Sequence, residues 1–86
     1  MDERLNYLFI LVRWVMVGDY CRKYRLSKGV TLKELGGEDQ VKNLSAFECG
    51  RSSNISHFIK YVQLSILFDE EQEFLTGFSE EINPVK

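Results

Sequence analysis

The chain has 86 residues, of which 44% are hydrophobic, enough for the core of one small domain and too many for a disordered chain. The net charge of −2 is segregated: residues 20–60 hold eight basic and four acidic side chains (+4), and residues 61–86 hold one basic and six acidic ones (−5). A basic middle beside an acidic end indicates a surface that faces a polyanion, although acidic ends also keep small proteins soluble.

An apolar stretch near the start reads LNYLFILVRWVMV over residues 5–17. It is too short to span a bilayer and Arg13 interrupts it, so we expect no membrane segment. Acidic residues precede it, which argues against a secretory signal. Its apolar residues follow neither the helical nor the strand period. Residues 1–17 are therefore an apolar extension that packs on the domain's own core or in a dimer interface. Alternatively, residues 1–15 are an artefact of start-codon choice.

The first predicted helix runs from about Gly18, or earlier, to Lys28, and its apolar stripe is Val17, Cys21 and Tyr24. Gly29 follows where a left-handed C-cap residue is needed.

The second predicted helix begins after Thr31, a good N-cap residue, and Glu34 completes a capping box. Two glycines at residues 36–37 favour a short second helix.

Three more helices follow. The third begins at Asp39 or Gln40, ends at Gly50, and has inward positions Val41, Leu44 and Phe47. The fourth is capped by Asn54 or Ser56 and has inward positions Phe58, Ile59 and Val62, with Leu64 as a further candidate. The fifth is capped by Asp69, with inward positions Phe74, Leu75 and Phe78.

The pattern predicts a small all-α domain over residues 18–79 and an acidic flexible tail over residues 80–86.

Two segments, GDYCRKYRLSKGVTLKEL at residues 18–35 and NLSAFECGR at residues 43–51, resemble the Cro and lambda-repressor type of helix-turn-helix domain, the XRE family. The pattern is most similar to the DNA-binding head of Rgg/MutR-type regulators of Gram-positive bacteria. The resemblance implies a five-helix lambda-repressor-like fold whose third helix lies in the major groove. It also implies a cytoplasmic transcriptional regulator, a phage- or mobile-element-type repressor, that binds double-stranded DNA as a homodimer without cofactor or metal.

On this resemblance the third helix presents its outward side chains to base edges, and the second helix meets phosphate with its N-terminus. Asparagine reads adenine, and lysine reaches guanine or phosphate. The loop that follows, residues 50–53, offers a flexible backbone, a guanidinium and two hydroxyls for a phosphate clamp. The expected DNA-binding residues are Lys28, Thr31, Lys33, Lys42, Asn43, Ser45, Arg51, Ser52 and Ser53.

The resemblance also implies one ion pair. In relatives, an arginine four residues before the glycine that ends the first helix pairs with a glutamate near the end of the third helix. Arg25 and Glu48 occupy these positions here. We expect the pair to orient the recognition helix.

Several positions depart from the family's pattern. Leu32 stands where relatives usually have glutamine, and Ala46 stands where they often have arginine or lysine. Glu38 and Asp39 lie in a shortened turn between the second and third helices. Acids beside a DNA-facing turn oppose binding to phosphates. These departures favour an alternative hypothesis, a protein-binding module such as an antirepressor or inhibitor that keeps the fold without specific DNA binding.

Nothing in the chain indicates an enzyme. The single histidine, His57, has no acid or nucleophile partner at a recognisable spacing, and we expect it on the surface of the fourth helix. Cys21 and Cys49 match no metal-ligand spacing, so we expect reduced thiols that pack as small apolar groups.

Overall fold

The computed structural model describes residues 3–82, and the side chains of residues 13–81. It contains five α-helices and a short 3-10 turn, with no strand among residues 3–82. The elements are α1 (Glu3–Ser27), α2 (Leu32–Gly36), the 3-10 turn (Glu38–Gln40), α3 (Val41–Glu48), α4 (Ile55–Leu67) and α5 (Glu71–Ile82). The predicted all-α class with five helices is confirmed.

One long helix, α1, joins the apolar extension to the first predicted helix. It has 25 residues, roughly 37 Å at 1.5 Å per residue. Residues 3–17 are therefore helical, which the sequence left open, and the expected boundary at residue 18 falls inside the helix. Trp14 and Val17 pack on the core, whereas the side chains of residues 3–12 lie outside those described. At the other end, the expected tail begins inside α5, and residues 83–86 lie outside the described chain.

No helix in the described part of the chain combines the length and the apolar character needed to cross a membrane.

Two glycines end α1 and α3 with the same hydrogen-bonded turn. Gly29 has φ 69° and its amide donates to the Leu26 carbonyl at 3.0 Å. Gly50 has φ 79° and its amide donates to the Phe47 carbonyl, also at 3.0 Å. A residue with a side chain is strained at such φ values, so glycine suits both positions. The predicted C-cap at Gly29 and the predicted helix end at Gly50 are confirmed.

Asp69 has a different role from the one predicted. It adopts φ 57° after α4, and its amide donates to the Ile66 carbonyl at 2.9 Å. The next amide, of Glu70, donates to the Ser65 carbonyl at 2.8 Å. Asp69 therefore ends α4 in a Schellman turn and does not cap α5. Aspartate tolerates the left-handed conformation better than most residues, which fits this position.

The predicted N-caps of α2 and α4 are present. The Thr31 hydroxyl accepts from the Glu34 amide at 3.0 Å, and the Thr31 amide donates to the Glu34 carboxylate at 2.9 Å, which completes the capping box. Asn54, not Ser56, caps α4, because its carboxamide oxygen accepts from the Ser56 amide at 3.0 Å. With only five residues, α2 is short as expected.

The core lies where α1, α3, α4 and α5 meet. Phe47 and Tyr61 stack with ring centroids 5.6 Å apart, and Phe74 meets Tyr24 at 4.8 Å. Each fully buried side chain of this size stabilises the fold by roughly 1.5–3 kcal/mol. The buried apolar residues are Val17, Cys21, Leu44, Phe47, Tyr61, Leu64 and Phe74.

Two residues predicted to face inward are exposed. Ile59 on α4 and Leu75 on α5 are 47% and 43% exposed. On α4, Tyr61 and Leu64 take the buried positions, whereas Phe58 and Val62 are partly buried. On α4 the prediction was therefore wrong for Ile59 alone, and it missed Tyr61.

The contact between α1 and α3 depends on the absence of a side chain at Gly18. A Cβ at Gly18 would overlap the carbonyl oxygen of Phe47 and lie 2.7 Å from that of Glu48. Just after α3, a Cβ at Gly50 would lie 2.6 Å from Cγ2 of Val15. The two backbones therefore approach closely where α1 passes the end of α3.

Replacing Gly18 with alanine should destabilise the protein. Alanine gains up to about 1 kcal/mol of helix propensity over glycine. The overlap with backbone carbonyls, which cannot move aside cheaply, should cost about 1–3 kcal/mol and outweigh that gain. Chemical denaturation of the wild type and Gly18→Ala measures the difference.

Gly29→Ala provides the comparison, because a Cβ at Gly29 meets no atom within 4 Å and pays only the left-handed strain of about 1 kcal/mol. A Gly18→Ala protein as stable as the wild type would show that the two helices do not need this close approach.

Candidate nucleic-acid interface

A buried ion pair joins the end of α3 to α1. Arg25 Nε donates to Glu48 Oε2 at 2.8 Å, and Arg25 Nη2 donates to Glu48 Oε1 at 3.0 Å. The two residues are 7% and 6% exposed. The ion pair expected from the sequence is present, and its two parallel hydrogen bonds fix both the distance and the orientation of the partners.

The same carboxylate also reaches α4. The Tyr61 hydroxyl donates to Glu48 Oε2 at 2.6 Å, and Arg25 Nη1 donates to the Val30 carbonyl at 2.7 Å. The hydrogen bond with Glu48 raises the pKa of Arg25. Burial, and then the hydrogen bond to Glu48, raise the pKa of Tyr61. The Glu48 carboxylate therefore connects α1, α3 and α4, and Arg25 adds the turn after α1 to the same network.

This anchoring leaves one face of α3 in solvent. Leu44, Phe47 and Glu48 are buried, whereas Lys42 and Asn43 are exposed. Ser45 and Ala46 are half-buried at the margins. Asn43 Nδ2 donates to Gln40 Oε1 at 3.3 Å, a bond within the same exposed surface.

The loop after α3 keeps its polar groups accessible. Arg51 and Ser53 are exposed and Ser52 is half-buried. The only hydrogen bond described for these three side chains is a long one, from the Asn54 amide to Ser52 Oγ at 3.5 Å. A guanidinium and two hydroxyls therefore stand next to the end of α3.

α2 packs tightly against α3. A Cβ at Gly36 would lie 2.6 Å from Leu44 Cδ1. Lys33 and Thr31 are exposed on α2 and at its N-cap. The Thr31 hydroxyl oxygen accepts from Glu34, but its proton remains available for a phosphate oxygen.

Lys28 does not join this surface. Its Nζ lies 2.6 Å from Glu70 Oε1 and sits over the rings of Tyr24 and Phe68, 5.5 and 5.1 Å from their centroids. The Tyr24 hydroxyl donates to the same Glu70 oxygen at 2.8 Å. The hydrogen bonds from Lys28 and Tyr24 lower the pKa of Glu70. Lys28 links the end of α1 to the start of α5, so its ammonium group is engaged by Glu70 in this structure, and its phosphate contact is not carried into the proposal below.

Acidic side chains stand close to the exposed cations. Glu38 and Asp39 form the exposed 3-10 turn directly before α3, and Glu34 belongs to the α2 capping box. The exposed cations of α2, α3 and the following loop are Lys33, Lys42 and Arg51. The surface is therefore polar and nearly balanced in charge, not strongly basic.

His57 is buried, which corrects its prediction as a surface histidine. It is 9% exposed, and its ring meets Phe47 edge-on at 5.9 Å. Its Nδ1 is buried without a hydrogen-bond partner. The helical spacing from His57 to Tyr61 and Leu64 (i, i+4, i+7) would have placed it on the buried face of α4. The same spacing was the available signal for Tyr61, whose bond to Glu48 the sequence interpretation missed.

The two thiols differ in environment. Cys21 is buried and packs as an apolar group, and burial raises its pKa. Cys49 is exposed at the end of α3, so the expectation that it packs inside was wrong. Both are free, and the described residues contain no group of three or more histidine, cysteine or acidic side chains placed to hold a metal ion.

In comparisons with protein-family models, with characterised proteins and with solved structures, none matched this chain. The resemblance to XRE-type domains therefore depends on the residues of the chain itself.

Replacing Arg25 with methionine should destabilise the fold by about 3 kcal/mol or more, because it leaves the Glu48 carboxylate buried without its cation. Denaturation with urea at neutral pH measures the change. Lys23→Ala is the control: it breaks the exposed Lys23–Asp19 pair, 3.0 Å long, and should cost less than about 1 kcal/mol. Equal losses in the two variants would mean that the buried pair has no special role.

Stability should fall at alkaline pH, in part through Tyr61. Its pKa is raised in the folded state above the ordinary value of 10.0. Below pH 10 both states keep the phenol proton; above it the unfolded chain releases the proton first, so each pH unit removes up to about 1.4 kcal/mol. Unfolding of the wild type and Tyr61→Phe between pH 8 and 11 isolates this contribution. The stability advantage of the wild type should shrink above pH 10, and a constant difference would contradict the assignment.

Proposed function

We propose that this protein is a small transcriptional regulator of the XRE type that places α3 in the major groove of double-stranded DNA. As a repressor of the kind carried by phages or mobile elements, it would act in the cytoplasm. The observation that carries the proposal is the orientation of α3. The contacts of Glu48 with Arg25 and Tyr61 hold its inner face, and Lys42 and Asn43 are exposed on its other face.

Each exposed residue has a distinct part in this proposal. Asn43 reads an adenine through its carboxamide, and Lys42 contacts guanine or a phosphate. Ser45 lies at the edge of the same face. The remaining contacts, all to phosphate, come from Thr31, Lys33, Arg51, Ser52 and Ser53. Lys28 has no part, because Glu70 holds it.

The number of available cations sets the expected salt dependence. Lys33, Lys42 and Arg51 are the cations that the proposal brings to DNA, so one protomer neutralises about three phosphates. Counterion release then predicts a slope of log K against log salt of about −3 per protomer, and about −5 for a dimer. The acids at residues 38 and 39 would reduce the non-specific affinity further. Specificity would therefore depend on base contacts more than on bulk charge.

A homodimer suits this proposal, because two copies related by a twofold axis read two half-sites of a palindromic operator.

Binding to another protein is the second candidate function, and exposed apolar side chains favour it. Leu32 and Ala46 replace polar residues that the family uses at DNA, and both are half-buried here. On α4, Ile55, Ile59 and Ile66 are exposed. Phe74 and Phe78 do not belong to this exposed surface, because Phe74 is buried in the core and Phe78 packs against it.

Binding of the purified protein to its own promoter region and to random duplex, over a series of salt concentrations, tests the two functions. A regulator should bind the promoter at least about a thousandfold more tightly than random duplex, with the salt slope given above. A folded protein that binds neither duplex at low salt would overturn the DNA proposal and leave the protein-binding function.

Single substitutions on α3 should separate residues that contact bases from residues that contact phosphates. Asn43→Ala should cost about 1–3 kcal/mol of specific binding by removing a base contact. Lys42→Ala should weaken binding, and reduce the salt slope by about 1 if it contacts phosphate. Electrophoretic mobility shift or fluorescence anisotropy measures both.

Lys28→Ala is the matched control, since it removes one positive charge from a residue that faces α5. It should leave the affinity for DNA unchanged. A loss as large as that of Lys42→Ala would contradict the proposed DNA face.

A further inference from the structure

Gln40 lies between α2 and Asn43, the residue proposed to read an adenine. It is half-buried and stands directly before α3 as its N-cap residue. Its backbone amide donates to the Gly37 carbonyl at 3.1 Å, and a Cβ at Gly36 would lie 3.3 Å from Gln40 Cβ. The backbone of Gln40 and the first carbon of its side chain are therefore held against the end of α2.

The outer end of the Gln40 side chain meets Asn43. Gln40 Oε1 accepts a hydrogen bond from Asn43 Nδ2 at 3.3 Å. The two residues are three positions apart, a spacing that places their side chains next to each other at the start of a helix. An exposed side chain on the proposed DNA face is therefore tied to a half-buried one beneath it.

This hydrogen bond leaves Asn43 able to recognise adenine. The carboxamide nitrogen of asparagine carries two hydrogens, and Gln40 takes one of them. Adenine presents one acceptor, N7, and one donor, N6–H, in the major groove. The second hydrogen on Asn43 Nδ2 and the carbonyl oxygen Oδ1 match these two groups. Gln40 and an adenine can therefore bind the same carboxamide at the same time.

A partner on the protein lowers the entropic cost of base recognition. An exposed asparagine without a partner rotates about its side-chain bonds and must give up that freedom when it binds a base. Ordering one such side chain at an interface costs about two- to tenfold in affinity. A carboxamide that is already ordered in the free protein avoids part of this cost.

We infer that Gln40 is a positioning residue for base recognition. It orders the carboxamide of Asn43 before DNA binds, and so sets how strongly the protein prefers adenine at one position of the operator. This role rests on the proposed function, because it concerns the same face of α3. Gln40 acts through Asn43 and makes no base contact of its own.

In the free protein, Gln40 should restrict the motion of the Asn43 side chain. Gln40→Met removes the carbonyl and keeps an unbranched side chain of similar length. Nitrogen-15 relaxation should give a lower order parameter for the Asn43 side-chain amide in this variant than in the wild type. Gln72→Met, at an exposed glutamine of α5, is the matched control and should leave that order parameter unchanged. An unchanged order parameter in Gln40→Met would overturn the positioning role.

Selection from a pool of random-sequence duplexes tests the role on DNA. Asn43→Ala should lose the preference for adenine at one position of the selected sequence, and Gln40→Met should weaken it there about two- to tenfold. In an Asn43→Ala background, Gln40→Met should change nothing further. Gln40→Glu should keep the adenine preference and bind all duplexes more weakly, because its carboxylate still accepts from Asn43 and repels phosphates.

The possible results separate this role from the proposed function. A wild type that selects a sequence, with an adenine preference that Gln40→Met leaves intact, would overturn the role and spare the function. So would a selected sequence that Asn43→Ala leaves unchanged, or an effect of Gln40→Met that is equally large without Asn43. Gln40→Glu losing the preference as fully as Gln40→Met would also overturn the role, since the acceptor is retained. A wild type that selects no sequence would overturn both, whatever the relaxation result.

Discussion

The carboxylate of Glu48 is the group on which the arrangement of the helices depends. It lies at the end of α3 and accepts hydrogen bonds from Arg25 on α1 and from Tyr61 on α4. Arg25 also donates to the carbonyl of Val30, between α1 and α2. A buried charge is costly unless its partners are in place, so each of these segments must take one position relative to the others. This network gives the small core directional contacts that apolar packing alone lacks.

The close contact of α1 with the end of α3 is a second constraint on the arrangement of the helices. Gly18 and Gly50 leave room for the backbones to approach, and Trp14 then meets Phe47 edge-on, with ring centroids 6.2 Å apart. Because α1 continues as one helix through this crossing, the position of its apolar first half follows from the same contact. Residues that hold α3 and residues that would read DNA therefore lie on opposite faces of one short helix, so each set can change without disturbing the other.

Charged side chains are arranged differently around α5 and around α3. Lys28, Tyr24 and Glu70 join α1 to the acidic helix α5, which takes one cation away from the side that would meet DNA. The acids at residues 38–39 are exposed directly before α3, which carries the exposed Lys42. A surface of this kind suits selective contact with a few groups better than general attraction to nucleic acid.

Part of this structure can be predicted from the sequence, because it depends on contacts between residues that are close together in the chain. The caps at Thr31 and Asn54 and the turn at Gly29 depend on residues within five positions of one another, so local sequence determines them. The Arg25–Glu48 pair spans 23 positions and was expected only because of a family resemblance. Tertiary packing decided the rest. The apolar residues of α4 cover most of its circumference, so more than one face fits the helical period, and contact with α1, α2 and α5 selected the buried one, with His57 inside and Ile59 outside. In the same way, Lys28 became a structural residue only because folding brought Glu70, 42 positions away, to its ammonium group.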